Sequence, residues 1–332
     1  MMVINMNDNM NSERQHKVLI TATSLNPGYE SDAMAALRQF TDELVFNETG
    51  KPLEGIDLVR KLDGCDGVIA GVDKYSGDVL SACAGCLKVI SRYGSGVDNI
   101  DMAAARENGI TVCNTPGANA QSVADLAIGL MLCAARRLPM LDRSTKTGEW
   151  QRTTGTELFH KTIGIIGLGA VGKGVARRAQ GFSMRVLAYD IMPDYNFAQI
   201  NGINVVTLEE LLEASDFITL HLPLNVDTRC ILDREALRLV KPNAILINTA
   251  RGGLIDEAAV HEMLVSGRLG GLGLDVYENE PPGDSPLFKL DSVVATPHIA
   301  SHTKEAIRNV TDISIRNLID VLSGRHCRHT VD

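Results

Sequence analysis

Three side chains stand just past three apolar runs, and their types suit acid–base work on a small organic acid. The run Ala244–Asn248 leads into Arg251, the run Gly271–Asp275 leads into Glu280, and the run Val293–Thr296 leads into His298. In an open parallel sheet, ligands bind beyond the carboxyl ends of the strands, so residues at three such exits share one edge. An arginine there holds a carboxylate and polarises a carbonyl oxygen, and a histidine gives that oxygen a proton. A glutamate beside the histidine favours the imidazolium and fixes the ring. The set suits reduction of a 2-keto acid. Singly, each residue has a plainer reading, as a surface ion pair, a solvated loop charge or a histidine satisfied by backbone; their conjunction at three strand exits outweighs it.

A second constellation is Gly167-Leu168-Gly169-Ala170-Val171-Gly172. The apolar run Thr162–Ile166 leads in, a helical pattern over Val171–Phe182 leads out, and the following strand ends at Asp190. In this context Gly167 permits a tight turn, Gly169 lets backbone approach a pyrophosphate, and Gly172 lets helix and strand pack closely. The first N–H groups of the helix, at Ala170 and Val171, face phosphate oxygens at the positive end of the helix dipole. Asp190 accepts hydrogen bonds from ribose hydroxyls and repels a 2′-phosphate, and Ile191-Met192-Pro193 follows it without a cation. The expected cofactor is therefore NAD rather than NADP.

These residues need strands to hold them, and the chain supplies two series. Runs at Val18–Thr21, Gly67–Ala70, Lys88–Ser91 and Thr111–Asn114 alternate with helical segments such as Ser31–Phe40 and Met102–Asn108. A second series of six runs begins at Thr162 and ends at Thr296. Such alternation predicts an α/β fold with two doubly wound parallel sheets. Between the series, Asn119–Arg143 is too apolar for a helix with one wet face and is expected to be buried nearly all round, by its own domain or a second subunit. Thr303–Leu322 reads as a further helix. Residues 1–15 are polar and aperiodic, the pattern of a disordered tail.

At 332 residues, 45% hydrophobic and 22% charged, the chain has the material for two cores. A net charge of −9 offers no basic field for nucleic acid, and no apolar run reaches the length of a membrane-spanning helix. Seven cysteines without a secretory leader suggest a reducing, cytoplasmic compartment. Cys83 and Cys86 form one CxxC, but with no second pair at zinc spacing no metal site is expected, and the thiols are read as buried.

The sequence resembles the D-isomer-specific 2-hydroxyacid dehydrogenases, most closely the phosphoglycerate dehydrogenase group. The likeness rests on Arg92-Tyr93-Gly94-Ser95-Gly96-Val97-Asp98-Asn99-Ile100-Asp101, Asn114-Thr115-Pro116-Gly117, Gly155-Thr156-Glu157-Leu158, Gly167–Gly172, Asn248-Thr249-Ala250-Arg251-Gly252-Gly253, Leu274-Asp275-Val276 with Glu280-Pro281, and Thr296-Pro297-His298. It implies that Arg251, Glu280 and His298 are catalytic. It also implies that His221, Pro223, Thr249, Ala250 and Asp275 line the cofactor site, and that backbone amides at Ser95 and Gly96 hold the substrate carboxylate. A Rossmann NAD-binding domain over 115–298 is expected to be inserted into a flavodoxin-like substrate domain formed by 16–114 and 299–332. The resemblance further implies a homodimer joined through Asn119–Arg143 and a small-molecule 2-hydroxy acid substrate, 3-phosphoglycerate above all.

Two departures bear on that substrate. The stretch Ala70-Gly71-Val72-Asp73 lacks the arginine that phosphoglycerate dehydrogenases commonly place there, whereas Arg92 and Arg152 match other phosphate contacts. The chain stops at Asp332, so feedback through a C-terminal regulatory domain is not expected. A dehydrogenase for an unphosphorylated or sulfonated acid is the nearest alternative. An NAD(H)-sensing binding protein is a more distant one, because such proteins carry extended regulatory tails. A formate-type enzyme would have an amide where Glu280 stands.

Overall fold

Short β-branched and leucine-rich runs become strands where Gly, Asp or Asn ends them. The computed structural model describes residues 16–331, so the tail expected over residues 1–15 lies outside the described residues. The chain divides into two compact units, one running through Pro116 and resuming at Arg308, the other spanning Gly117–Ile307.

In the first unit, Lys17–Ile20 (β1), Glu43–Phe46 (β2), Gly67–Ala70 (β3), Val89–Arg92 (β4) and Thr111–Cys113 (β5) form a parallel sheet in the order β2-β1-β3-β4-β5. Successive side chains of a strand face opposite sides, and both sides here are apolar, as a sheet covered on two faces requires. Leu19, Val68, Ile90 and Val112 enter one core, and Val18, Ile20, Ile69, Val89 and Cys113 enter the other. The helix Asp32–Phe40 is capped by Ser31, whose hydroxyl accepts from Met34 N–H at 3.2 Å. Ile315 and Leu318, from the helix Lys304–Leu322, complete the second core.

The second unit contains Thr162–Ile166 (β6), Arg185–Tyr189 (β7), Asn204–Val205 (β8), Phe217–Leu220 (β9), Ala244–Asn248 (β10), Leu269–Leu274 (β11) and Val293–Ala295 (β12). All pair in parallel, in the order β12-β11-β10-β9-β6-β7-β8. The chain order reverses between β6 and β9, which is where doubly wound sheets open a crevice for ligands.

Several expectations need correction. The two sheets gain β2 and β8, edge strands that the apolar runs do not announce. Asn119–Arg143 is not one helix: Ala120–Arg136 ends at Arg137, which adopts the left-handed φ of 51°, and a second helix, Leu138–Lys146, follows with Pro139 in its first turn. Most of the apolar demand of Ala120–Arg136 is met inside its own unit, against Ala176, Ile163 and Ile245, leaving Leu126, Leu132 and Cys133 partly exposed. The thiols are not uniformly buried either: Cys86 is exposed, and Cys133 and Cys230 are intermediate. Among the described residues no helix is long and apolar enough to cross a membrane.

Candidate active site

The glycine-rich turn follows β6 directly. Gly167 has φ of +99°, and its N–H donates to Tyr189 O at 2.8 Å, which ties the turn to the end of β7. A Cβ on Gly172 would lie 2.0 Å from Gly167 O, so only glycine lets the helix Ala170–Gly181 start this close to the strand. Gly169 differs in kind. It caps the helix without a side-chain hydrogen bond, and a Cβ there would meet nothing within 4 Å. Backbone donors at the positive end of a helix therefore open onto free space, a cradle for an anion.

Asp190 closes the turn from the β7 side. Its Oδ2 accepts from Leu168 N–H at 2.7 Å and its Oδ1 from Met192 N–H at 2.8 Å. The carboxylate thus braces the turn as well as placing a negative charge beside it, a structural duty that the motif spacing does not reveal.

Past β9, His221 sits with Nε2 2.9 Å from Thr219 Oγ1 and with Nδ1 buried without a protein partner. Burial pushes its pKa down to about 3, so the ring is neutral at physiological pH. Past β10, Thr249 Oγ1 is likewise buried without a protein partner. Buried polar atoms are nearly always hydrogen-bonded, so two orphans at adjacent strand ends mark where a polar ligand belongs. With the open helix start, they fit a dinucleotide. Pro223 and Ala250 lie on the loops that leave β9 and β10.

Arg251 is positioned by its neighbours. Asn248 accepts from Ala250 N–H at 3.0 Å and donates through Nδ2 to Arg251 O at 2.8 Å, so the loop is stapled to the strand that ends in it. Gly252 then packs directly against the peptide after Tyr277, which brings the Arg251 loop beside the segment carrying Glu280.

His298 Nδ1 lies 2.7 Å from Glu280 Oε2, with both side chains partly open to solvent. Tyr277 serves both partners, its N–H donating to Glu280 Oε1 at 3.1 Å and its hydroxyl to Thr296 O at 2.8 Å. Burial raises the Glu280 pKa, but the hydrogen bond and charge of His298, the Tyr277 N–H and the Arg251 charge outweigh it and hold the carboxyl below its ordinary value. Asp275 is fully buried and fastens the His298 segment at three points, accepting from Thr296 Oγ1 (2.6 Å), Ile299 N–H (2.8 Å) and Ala300 N–H (2.8 Å). The supporting roles of Asn248, Tyr277, Thr296 and Asp275 have little sequence signal beyond the Asx-turn tendency of asparagine.

The remaining sequence candidates are carried by other segments of the chain. Ser95 and Gly96 belong to the first unit, after β4, where Ser95 O accepts from Asn114 Nδ2 at 2.8 Å. Arg92, at the end of β4, is buried, with NH1 donating to Tyr93 O at 2.6 Å and to Ala70 O at 3.3 Å. Its guanidinium is thus turned onto backbone carbonyls. Arg152 is exposed on the irregular stretch before β6. Among the described residues no group of three or more His, Cys, Asp or Glu side chains could hold a metal ion.

Residues 128–300 match the sequence profile of the D-isomer specific 2-hydroxyacid dehydrogenase, NAD binding domain. The chain is 43% identical over 320 residues to D-3-phosphoglycerate dehydrogenase of Methanocaldococcus jannaschii, covering 95% of this chain but 59% of that protein. It is 45% identical over 269 residues to hydroxypyruvate reductase of Thermotoga maritima, covering 79% of this chain and 86% of the relative. A glyoxylate reductase crystal structure from Paecilomyes thermophila superposes with a TM-score of 0.84 at 29% identity, covering 96% and 98% of the two chains.

Proposed function

Because the chain belongs to the D-isomer-specific 2-hydroxyacid dehydrogenase family and carries its NAD-binding domain, we propose that it interconverts a D-2-hydroxy acid and its 2-keto acid, with 3-phosphoglycerate and 3-phosphohydroxypyruvate as the pair. The observation that supports this reading most is the His298–Glu280 contact of 2.7 Å, with the Arg251 charge acting on the same carboxylate.

Bound NAD supplies a two-electron carrier at its nicotinamide ring, exchanging a hydride with C2 of the acid. The protein's residues do the rest. Gly169, Ala170 and Val171 would present N–H groups to the pyrophosphate, Asp190 would take the ribose hydroxyls, and Thr249 and His221 would offer it their orphaned atoms. Arg251 binds the substrate carboxylate and polarises the carbonyl. Glu280 occupies Nδ1 of His298, so Nε2 is the nitrogen that gives the carbonyl oxygen its proton in reduction and takes it back in oxidation. Leu126, Leu132 and Cys133, the partly exposed apolar residues of Ala120–Arg136, are what this helix would offer to a second copy in a homodimer.

Arg152 is the cation assigned to the phosphate. A second reading, an acid without phosphate such as hydroxypyruvate or glyoxylate, is favoured by Arg92 being turned onto backbone carbonyls and by the lack of an arginine in Ala70-Gly71-Val72-Asp73. NADH oxidation against 3-phosphohydroxypyruvate, hydroxypyruvate, glyoxylate and pyruvate decides between them. The first acid should give the highest kcat/KM. Arg152→Ala should lower that value by roughly 10–150-fold, the worth of one charge-assisted hydrogen bond, and leave glyoxylate unaffected. Preference for hydroxypyruvate or glyoxylate with no effect of Arg152→Ala selects the second reading, and tight NADH binding without turnover of any acid overturns both.

A further inference from the structure

The thiols of Cys113 and Cys327 are in contact, with their Sγ atoms 3.4 Å apart although the residues are separated by 214 positions in sequence. Cys113 ends β5; Cys327 follows the helix Lys304–Leu322. Both belong to the first unit, and both are buried in its second core. The contact is held by a short added strand: Asn114 N–H donates to His329 O at 3.0 Å, Val331 N–H donates to Val112 O at 2.8 Å, and Cys113 bridges Thr330 in antiparallel sense. Asn317 fixes the same corner, donating through Nδ2 to Asn114 O at 2.8 Å while its Oδ1 lies 3.4 Å from Cys327 Sγ.

We propose that Cys113 and Cys327 form an oxidisable pair whose disulfide fastens together the two separate stretches of chain that build the first unit. The sulfurs need to approach by only about 1.4 Å to reach bonding distance, within the reach of side-chain rotation. Burial pushes the Cys113 thiol up; Cys327, itself buried, lies in a stretch whose other residues are mostly exposed. An oxidant reaches Cys327 when this C-terminal stretch opens locally. With a peroxide, the Cys327 sulfur bonds to one oxygen, the O–O bond breaks and a water leaves, giving a sulfenic acid. Cys113 then attacks that sulfur, the S–S bond forms, the S–O bond breaks, and a second water leaves. Two thiols have lost two electrons, and one peroxide has become two waters.

The bond closes a loop that contains the whole second unit, and it stabilises by restricting the unfolded chain. None of this depends on the catalytic assignment. The CxxC pair Cys83 and Cys86 is the internal comparison: Cys86 is exposed, so it reports that the oxidant has acted.

The full-length chain, treated with hydrogen peroxide and mapped without reduction by peptide mass spectrometry, should yield a linked peptide joining Cys113 to Cys327. Dithiothreitol should release it. The oxidised protein should melt several degrees higher than the reduced one. That increase should be absent in Cys327→Ala and, independently, in Cys113→Ala, so that one poorly folding variant does not decide the matter. Oxidation of Cys86 without the Cys113–Cys327 peptide overturns the proposal, as does a linked peptide confined to Cys83 and Cys86.

Discussion

Gly252 lies so close to the peptide joining Tyr277 and Glu278 that a Cβ on it would fall 1.9 Å from the Tyr277 carbonyl carbon and 2.2 Å from Glu278 N. The Arg251 loop and the Glu280 segment are therefore registered by backbone contact. Gly252→Ala should destabilise the chain by about 1–3 kcal/mol, the cost of overpacking, and should lower kcat because Arg251 moves relative to the His298–Glu280 pair. Gly169→Ala is its counterpart. With open space around that position, stability should change by no more than about 0.5 kcal/mol, while NADH binding weakens because the methyl occupies the cradle. Urea unfolding and NADH titration of both variants test the contrast; equal behaviour of the two would refute it.

His298→Ala should lower turnover by roughly 10²–10⁴, the usual range for a lost general acid, while NADH affinity stays close to that of the unaltered protein. Steady-state rates and NADH fluorescence titration measure the two separately. Near-normal turnover would remove His298 from the mechanism.

The pH dependence of reduction follows from Glu280. Its pKa is lowered, so the carboxylate's support for His298 is fully present above the ordinary glutamate value and is lost only as pH falls through the depressed value. The acid limb of kcat/KM should therefore reach below about 4.3, the ordinary glutamate value. In Glu280→Gln this limb should disappear and kcat at neutral pH should fall by about 10-fold or more, since an orienting partner accounts for part of the general-acid effect. Superimposable profiles for the two proteins would count against the pairing.

Asp190 governs cofactor choice in this reading. Removing its charge and placing a cation at the exposed neighbouring position, Asp190→Ala with Ile191→Arg, should raise the ratio of NADPH to NADH use. The same change removes the acceptor for Leu168 N–H, so NADH use should also fall in absolute terms. An unaltered protein that already prefers NADPH would show that Asp190 does not face the ribose.

Much of the architecture is legible because both sheets are buried on two faces and their strands read as continuous apolar runs. Gly67–Ala70 and Ala244–Asn248 are strands with the bounds the sequence suggests. The missed strands are edges: Asn204–Val205 has two residues, and Glu43–Phe46 is half-exposed, so neither needs an uninterrupted apolar run. The break at Arg137 is hard to foresee because a left-handed arginine carries no composition signal, although Pro139 is a helix-start signal that the strong apolar pattern masks. In the site, residue types at strand exits show which groups could react. They do not show what holds them, because the hydrogen bonds of Asp275, Asn248 and Tyr277 join residues whose separation in sequence has no fixed rule.

The second unit is one continuous stretch, whereas the first draws on both sides of it. On a ribosome the chain emerges in order, and domains tend to fold as units during synthesis. Residues through Pro116 come out first, yet Ile315, Leu318 and Cys327, which fill one of their two cores, follow only after Ile307. The earlier stretch must wait with apolar side chains uncovered while the later one completes its own sheet. In vectorial synthesis the unit that starts first is the one that finishes last.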